Sequence, residues 1–168
     1  CAIFRKDMEP TNYPVSLTET EKKVLTHTLL GKSLKQIASE MFLSIRTVET
    51  HRYQIFEAMN VHSVTEMAGF ALRHRMIEPQ NLIPRYVGGK PLNAQQRQIL
   101  LLIAQGNSQK MVADALNISA KNVNNQTESI RKKLGLHETG VHLGVALTHI
   151  AYLTGLLKPE PTADDSHQ

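Results

Sequence analysis

The sequence predicts an all-α protein that contains two tandem copies of one four-helix domain. Three observations support this prediction: apolar residues recur at helical spacing, Ser and Thr residues stand where helices would begin, and the second half of the chain repeats the first without a gap. At a shift of 75 residues the repeat matches core positions, helix stops and caps. The matched pairs include Leu17 with Leu92, Gly31 with Gly106, Ser44 with Ser119, and Val48 with Val123.

The first two helices of copy one are each predicted to begin at a capping box. Thr18-Glu-Thr-Glu21 opens a helix that runs to about Leu30, and Gly31 follows as its stop. Ser33-Leu-Lys-Gln36 opens a short helix through Phe42. The predicted inward residues of these helices are Val24, Leu25, Leu29, Ile37, Ala38 and Met41.

Ser44 is a good N-cap for a third helix over residues 45–59, because its hydroxyl can accept from the free N–H groups of the first turn. Val48, Ile55 and Met59 fall on the inward face of this helix, whereas its outer face is polar and partly cationic. A capped helix of this kind is typical of the second helix of a helix-turn-helix. An ordinary amphipathic surface helix is the alternative interpretation.

The fourth helix of copy one is predicted to begin at a third capping box, Ser63-Val-Thr-Glu66, and to run through Arg75. Its predicted inward residues are Val64, Met67, Ala68, Ala71 and Leu72. Three Pro residues and the pair Gly88-Gly89 then mark a linker. The predicted divisions are a tail over 1–16, a helix-turn-helix domain over 17–77, a linker over 78–91, a second domain over 92–157, and a tail over 158–168 that we expect to be disordered.

The composition narrows the class of protein without fixing its function. The chain of 168 residues is 41% apolar but only 5% aromatic, which suits small helical bundles. Its formal net charge of +4 permits nucleic acid as a partner. With Cys1 as the one cysteine, no internal disulfide can form, and a reducing compartment fits best. We see neither an apolar run long enough for a membrane span nor a secretory signal.

Several stretches in copy one resemble one protein family. They are Leu17-Thr-Glu-Thr-Glu21, Gly31-Lys-Ser-Leu-Lys-Gln-Ile-Ala38, Leu43-Ser-Ile-Arg-Thr-Val-Glu-Thr-His51 and Met59-Asn-Val-His-Ser63. Together they are similar to the LuxR/GerE-type helix-turn-helix domain of the NarL/FixJ response regulators and quorum-sensing regulators. Copy two resembles the same family more weakly, through Gly106-Asn-Ser-Gln-Lys110, Ile118-Ser119 and Lys133-Leu-Gly-Leu136.

The resemblance implies a cytoplasmic bacterial transcription regulator that binds double-stranded DNA. In the family, the third helix lies in the major groove and the fourth helix usually forms the dimer contact. The chain begins with Cys1 and not Met, which leaves open a missing N-terminal sensor or receiver domain. A regulator of this kind is not an enzyme, and the sequence contains no recognisable catalytic motif.

By position, the resemblance also assigns DNA-contacting residues to copy one. The base-facing positions are Glu49, Thr50 and Tyr53, and the positions near the phosphate backbone are Lys35, Thr47, His51 and Arg52, to which Arg46 adds a further cation. Cations and hydroxyls near phosphate supply salt-dependent affinity, whereas groups at the outer crest of the helix reach base edges. Ala58 and Val64 stand where the family often has Lys and Arg, which predicts weaker phosphate binding than in a typical member.

Copy two departs further from the family. Its crest residues Asn124, Asn125 and Glu128 are candidate base readers, because Asn can pair with adenine edges. The candidate phosphate contacts are Lys110, Arg131, Lys132 and Lys133. The alternative is that copy two keeps the helix-turn-helix fold but no longer reads DNA bases. In that case the chain would be a protein-interaction regulator that binds another transcription factor through the degenerate copy.

The last helix of copy two has more apolar surface than one small core needs. Val141, Val145 and Tyr152 form a second stripe, which we predict packs near Phe70 on the fourth helix of copy one. Such a contact would make an intramolecular pseudo-dimer, and a homodimer of two chains is the rival. The linker of 14 residues can span roughly 46–50 Å, which exceeds the roughly 34 Å between DNA half-sites one turn apart.

The eight histidines raise the question of a metal site. His137 and His142 are five residues apart, which does not suit one helical face, and no Cys or carboxylate cluster converges on them. We therefore expect no bound metal and no cofactor.

Overall fold

The computed structural model describes residues 15–77, 90–136 and 141–161. These residues form eight α-helices and no strand, which confirms the predicted all-α fold class. The helices are α1 Glu19–Leu29, α2 Leu34–Met41, α3 Ile45–Met59, α4 Val64–Arg73, α5 Ala94–Ala104, α6 Gln109–Leu116, α7 Ala120–Lys133 and α8 Leu143–Leu153. Over the described ranges, none of the helices has the length and apolar character that crossing a bilayer requires.

Some predicted features lie outside the described residues. They are most of the tail over 1–16, most of the linker over 78–91, Gly88-Gly89, His137 and the last part of the tail over 158–168. Six residues assigned to the tails are described, 15, 16 and 158–161, and Val15 and Glu160 among them make contacts with copy one. Val15 packs against the core of the first copy. The Glu160 N–H donates to the Arg73 carbonyl at the end of α4, over 2.8 Å.

The first two predicted capping boxes are confirmed. The Thr18 hydroxyl accepts from the Glu21 N–H over 3.2 Å, and the Glu21 carboxylate accepts from the Thr18 N–H over 2.7 Å. Ser33 and Gln36 make the same reciprocal pair at the start of α2. Each box satisfies two N–H groups that the first helical turn leaves free.

The third predicted capping box is only half formed. The Ser63 hydroxyl accepts from the Glu66 N–H over 3.1 Å, as expected. The Glu66 carboxylate, however, accepts from the His62 N–H over 2.9 Å and not from Ser63. Because Ser63 is strongly extended at φ −144°, the free N–H that the carboxylate reaches belongs to the preceding residue.

Two predicted helix ends were also wrong by one or two residues. Phe42 and Arg75 were expected to be helical, but both adopt left-handed backbone conformations, with φ of 55° and 53°. In each case the next residue folds back: Leu43 N–H donates to the Ala38 carbonyl, and Met76 N–H donates to the Ala71 carbonyl. This closure ends a helix and lets the following apolar side chain return to the core.

Copy two repeats the first three of these starts, with Asn93 in place of Thr18. Asn93 and Gln96 form a capping box at the start of α5, which was not predicted from the sequence. Ser108 and Ser119 cap α6 and α7, as their counterparts Ser33 and Ser44 cap α2 and α3. The first three helices of the two copies therefore start at equivalent positions, whereas α8 starts at Leu143 after His142, which makes no side-chain cap hydrogen bond.

Each copy has a hydrophobic core of its own. The first contains Leu25, Leu29, Ile37, Val48, Ile55 and Met67, and the second contains Ile99, Leu100, Val112, Val123, Ile130 and Leu147. The predicted inward residues Met41 and Val64 are only half-buried against the first core. Both lie at the end of a helix, where one side of the side chain meets solvent.

Helix α8 lies between the two cores. Val145 is fully buried in the first core, whereas the next residues, Ala146 and Leu147, are fully buried in the second. Val141 and Phe70 are half-buried against the first core, and Val141 also packs against the second. Tyr152, the remaining residue of the predicted interface, is half-buried on α8.

Small residues let α4 and α8 approach closely. Gly69 and Gly144 occupy the same repeat position, and both are buried. An ideal Cβ placed on Gly144 would lie 2.2 Å from the Thr65 Oγ1, and one placed on Gly69 would lie 3.9 Å from the Thr148 Cγ2. Each glycine thus faces a threonine of the other helix, and at Gly144 even a methyl group would not fit without a shift.

Candidate nucleic-acid interface

Helix α3 is held by its packing on α1 and α2, which fixes the direction of its outer face. Val48, Ile55 and Met59 are buried, as predicted from the sequence. The helix bounds Ile45–Met59 also match the prediction. One side of α3 is therefore committed to the core, and the other is free to meet a partner.

The outer crest of α3 carries three exposed residues that were assigned to base edges. Glu49, Thr50 and Tyr53 are all exposed, and 64% of the Tyr53 surface is accessible. Together with Ile45 and Arg46 they line one shallow surface depression. Acceptor, hydroxyl, phenol and guanidinium groups are thus brought together over about two turns of a single helix.

Three hydroxyls near the start of α3 have local partners. The Ser44 hydroxyl accepts from the Thr47 N–H over 3.0 Å, and the two hydroxyl oxygens of these residues are 2.7 Å apart. The Thr50 hydroxyl donates to the Arg46 carbonyl over 3.0 Å. Because a hydroxyl can accept while it donates, the Thr50 oxygen can still accept from a donor on DNA.

The cations assigned to phosphate differ in their surroundings. Lys35 on α2 and Arg46 on α3 are exposed. Arg52 is half-buried, and its guanidinium carbon lies 5.8 Å from the centre of the Phe56 ring. This cation–π contact orients the Arg52 side chain along α3 without neutralising its charge.

His51, the fifth residue assigned to phosphate, is half-buried. Its Nδ1 atom is buried and has no hydrogen-bond partner among the described residues. The ring therefore offers only its Nε2 edge to an external group.

A neighbouring cation is already paired. Lys32 binds the Glu40 carboxylate, and this hydrogen bond lowers the pKa of the Glu40 carboxyl. His27 stands beside the same pair, and burial followed by the charge of Lys32 lowers its pKa. The charge of Lys32 is thus largely compensated by Glu40 of α2, in contrast to that of Lys35.

Several side chains of helix α7 in copy two take part in a hydrogen-bond network within their own domain. Gln96 on α5 is almost fully buried, and its Nε2 donates to the Gln126 Oε1 over 3.2 Å and to the Ser129 Oγ over 3.1 Å. The Lys133 ammonium donates to the Gln96 Oε1 over 2.8 Å and reaches the Pro91 carbonyl. Lys133, proposed from the sequence as a phosphate contact, therefore points toward its own domain.

Another pair of candidate residues in copy two bind each other. The Arg131 guanidinium and the Glu128 carboxylate are 3.6 Å apart, one turn apart on α7. Exposed residues remain on α6, at Lys110, and along α7, at Lys121, Asn124, Asn125 and Lys132. Lys121 was missed in the sequence analysis, although it occupies the repeat position of Arg46.

The part of the chain that the structure describes contains no group of three or more His, Cys, Asp or Glu residues arranged to hold a metal. His142 is exposed at the start of α8, and its predicted partner His137 lies outside the described ranges.

Comparison with known proteins agrees with the repeat. The family model described as "Bacterial regulatory proteins, luxR family" matches residues 15–71 and again residues 90–142. The two matches cover most of the chain, one in each copy. Both contain the helix pair α2–α3 or its counterpart α6–α7.

Several curated bacterial proteins are similar over part of their length. Response regulator UvrY of Escherichia coli is 29% identical over 82 residues, which cover 48% of this chain and 38% of that protein. Oxygen regulatory protein NreC of Staphylococcus carnosus is 31% identical over 74 residues, covering 44% and 34%. Uncharacterized transcriptional regulatory protein YhcZ of Bacillus subtilis is 39% identical over 70 residues, covering 42% and 32%.

The matched stretch thus covers about a third of the length of these relatives, between 32% and 38%. No solved structure gave a significant match.

Proposed function

Because the chain belongs to the luxR family of bacterial regulatory proteins, we propose that it is a transcription regulator that binds double-stranded DNA. In this proposal α3 enters the major groove, which is wide enough to admit an α-helix. The names of the relatives, a response regulator and a transcriptional regulatory protein, support the same class of function. A regulator of this kind works where bacterial DNA lies, in the cytoplasm.

The observation on which the proposal depends is the two-sided character of α3. Its inner face is buried on α1 and α2, while Glu49, Thr50 and Tyr53 stand exposed on the crest. The Glu49 carboxylate only accepts hydrogen bonds, so the N4 amino group of cytosine is its natural partner in the groove.

The proposed phosphate contacts flank this crest. Lys35 and Arg46 are exposed cations at the starts of α2 and α3, and Arg52 lies beside Phe56 further along α3. The N–H groups at the start of a helix also favour an anion. Such contacts position the helix on the duplex and make binding depend on salt.

We further propose that copy two serves as the second half of an intramolecular pseudo-dimer. Support comes from α8, which belongs to copy two. Its residue Val145 is nevertheless buried in the hydrophobic core of copy one. Light scattering over a range of protein concentrations tests this idea. A single-chain mass throughout is expected, whereas a dimer that persists on dilution would favour pairing of two chains.

The DNA proposal is tested by fluorescence anisotropy with a pool of random duplexes over a series of salt concentrations. The variant Arg46→Ala with Arg52→Ala should reduce the slope of log K against log salt by about two, since each lost phosphate contact removes about 0.9. Lys158→Ala, which removes an exposed cation after α8, is the matched control and should leave the slope unchanged.

The outcome also separates the two classes of function. Binding without any salt dependence, or no binding at all, would contradict the DNA proposal. The protein-interaction regulator would then be the better description of the chain.

A further inference from the structure

We infer that the chain recognises a non-palindromic DNA site with two unlike half-sites, one read by α3 and the other by α7. This inference rests on the proposed function and extends it to the sequence that is read. A dimer of identical chains presents the same reader twice and so selects a site with matching symmetry. The two readers of this chain differ in chemistry.

The crests of α3 and α7 differ at each of their three equivalent positions. Glu49 corresponds to Asn124, Thr50 to Asn125, and Tyr53 to Glu128. A carboxylate only accepts hydrogen bonds, whereas an Asn amide both donates and accepts. The first favours the amino group of cytosine, and the second favours the N6 and N7 edge of adenine. A single half-site sequence cannot satisfy both crests.

The amides of α7 are presented outward. Asn124 and Asn125 are both exposed. The Asn124 Oδ1 accepts a long hydrogen bond of 3.4 Å from the Gln109 Nε2, which orients this side chain and leaves its amino group available. Glu128, by contrast, faces Arg131 over 3.6 Å, so its carboxylate is partly compensated within the helix. Asn125 is therefore the foremost base reader of copy two.

Copy two also keeps a cation at the start of α6 and another at the start of α7, where they can reach the phosphate backbone. Lys110 and Lys121 are exposed at the repeat positions of Lys35 and Arg46. The later cation is lost, because Thr127 replaces Arg52 and is buried at 5% exposure, where its hydroxyl donates to the Val123 carbonyl over 2.7 Å. Copy two thus retains cations for phosphate at the starts of α6 and α7 and lacks one at the position of Arg52.

Hydrogen bonds on the inner side of α7 help to hold its crest residues outward. Gln126, at the repeat position of His51, accepts from the buried Gln96 amide, which also holds Ser129 and Lys133. These bonds fix the rotation of α7 about its axis relative to α5. A crest held in one orientation is what base reading requires, because hydrogen bonds to base edges depend on geometry.

Selection of bound duplexes from a random pool by the full chain tests the inference. The enriched sequence should contain two blocks that differ from each other and are not related by inversion. Asn125→Ala should abolish the preference for adenine in one block only, and Glu49→Ala should abolish the preference for cytosine in the other. Each variant should bind the selected duplex about tenfold more weakly. Gln98→Ala, which removes an exposed amide from α5, should bind as the parent does.

The salt dependence of binding supplies a second readout. Asn125→Ala removes no charge, so the slope of log K against log salt should stay the same. Lys110→Ala with Lys121→Ala should reduce that slope by about two while leaving the selected sequence unchanged.

The outcomes distinguish the inference from the function on which it rests. A palindromic selected site, or a single block that Asn125→Ala leaves unaltered, would overturn the inference while the DNA proposal stands. If the unsubstituted full chain shows no salt-dependent binding to DNA, both the inference and the DNA proposal are overturned.

Discussion

The backbone of Gly144 on α8 lies so close to Thr65 on α4 that a Cβ atom on the glycine would be 2.2 Å from the threonine Oγ1 and 3.1 Å from its Cγ2. Both residues are buried, and they belong to different copies of the repeat. The contact between the copies is therefore made at one point by backbone against side chain, with no room for an added methyl group.

Gly144→Ala should lower the free energy of unfolding by about 1–3 kcal/mol, the usual effect of overpacking. Intrinsic helix propensity acts in the opposite direction, since Ala is favoured over Gly by about 1 kcal/mol in a helix. A net loss of stability would thus show that the contact with Thr65 dominates. Denaturant unfolding followed by circular dichroism measures the change.

Gly69→Ala is the matched control, because Gly69 occupies the same repeat position on α4. Its added Cβ would meet the Ala104 carbonyl at 3.6 Å and Thr148 at 3.9 Å, which are ordinary contact distances. This variant should be neutral or slightly stabilised. Adding Thr65→Ala to Gly144→Ala should recover part of the lost stability. Equal effects of the two glycine substitutions would contradict the described packing.

Lys133→Ala should affect stability more than DNA binding. The Lys133 ammonium donates to the Gln96 Oε1, which also accepts from the Asn93 N–H, so its removal costs one of the two hydrogen bonds of this buried acceptor and should destabilise copy two by about 0.5–1.5 kcal/mol. The slope of log K against log salt should not change. Lys132→Ala, on the exposed side of the same helix, should leave stability within about 0.5 kcal/mol of the parent. A reduced salt slope in Lys133→Ala would instead place this residue on DNA.

His149 should make the protein less stable in mild acid. Burial lowers the pKa of this imidazole from 6.5 to about 4, against a smaller opposing effect of the hydrogen bond to the Val145 carbonyl. The unfolded chain therefore takes up the proton first as the pH falls, so stability is full above about pH 6.5 and declines toward pH 4. This group alone should remove about 2 kcal/mol between pH 7 and pH 5.

Thermal unfolding of the parent and of His149→Gln over this pH range measures that effect. The variant cannot titrate here, so its melting temperature should depend less steeply on pH, whatever its stability at neutral pH. His62→Gln, at an exposed histidine, should keep the steep dependence of the parent. Identical pH profiles for the parent and His149→Gln would refute the assignment.

Ending the chain at Leu157 should weaken copy one, although the removed residues follow copy two. The Glu160 N–H donates to the Arg73 carbonyl, its carbonyl accepts from the Arg75 Nε over 3.3 Å, and its carboxylate lies 3.0 Å from the His74 Nδ1. Amide hydrogen exchange should rise at the end of α4. Glu160→Ala keeps the backbone bond and should give a smaller increase, and unchanged exchange at α4 in both would rule out this role.

The helix starts could be predicted from the sequence because the hydrogen bonds that cap them join residues close together in the chain. Thr18, Ser33 and Ser44 bind N–H groups within three residues of themselves, and all three are caps as expected. The ends at Phe42 and Arg75 were missed because they depend on where the next apolar side chain is buried. That depends on tertiary packing, which periodicity does not show.

In the candidate site, too, local features could be predicted from the sequence and tertiary contacts could not. The outward face of α3 follows from helical spacing, so Glu49 and Tyr53 are exposed as the pattern indicates. The surroundings of Lys133 depend on Gln96, which is 37 residues away in the chain, and a run of three cations gives no sign of it. The repeated glycines, Gly69 and Gly144, did offer evidence of a close contact, since both copies keep a residue that weakens a helix.

Helix α8 joins the two cores within a single chain, and this has a consequence for regulation. A regulator assembled from two chains loses its paired form as it is diluted, so occupancy of its DNA site rises steeply with the number of molecules in the cell. Association through a linker is governed by an effective concentration that dilution does not alter. If one chain supplies both halves, occupancy would rise in simple proportion to copy number while the site is unsaturated. Such a regulator would respond gradually, even at a few molecules per cell.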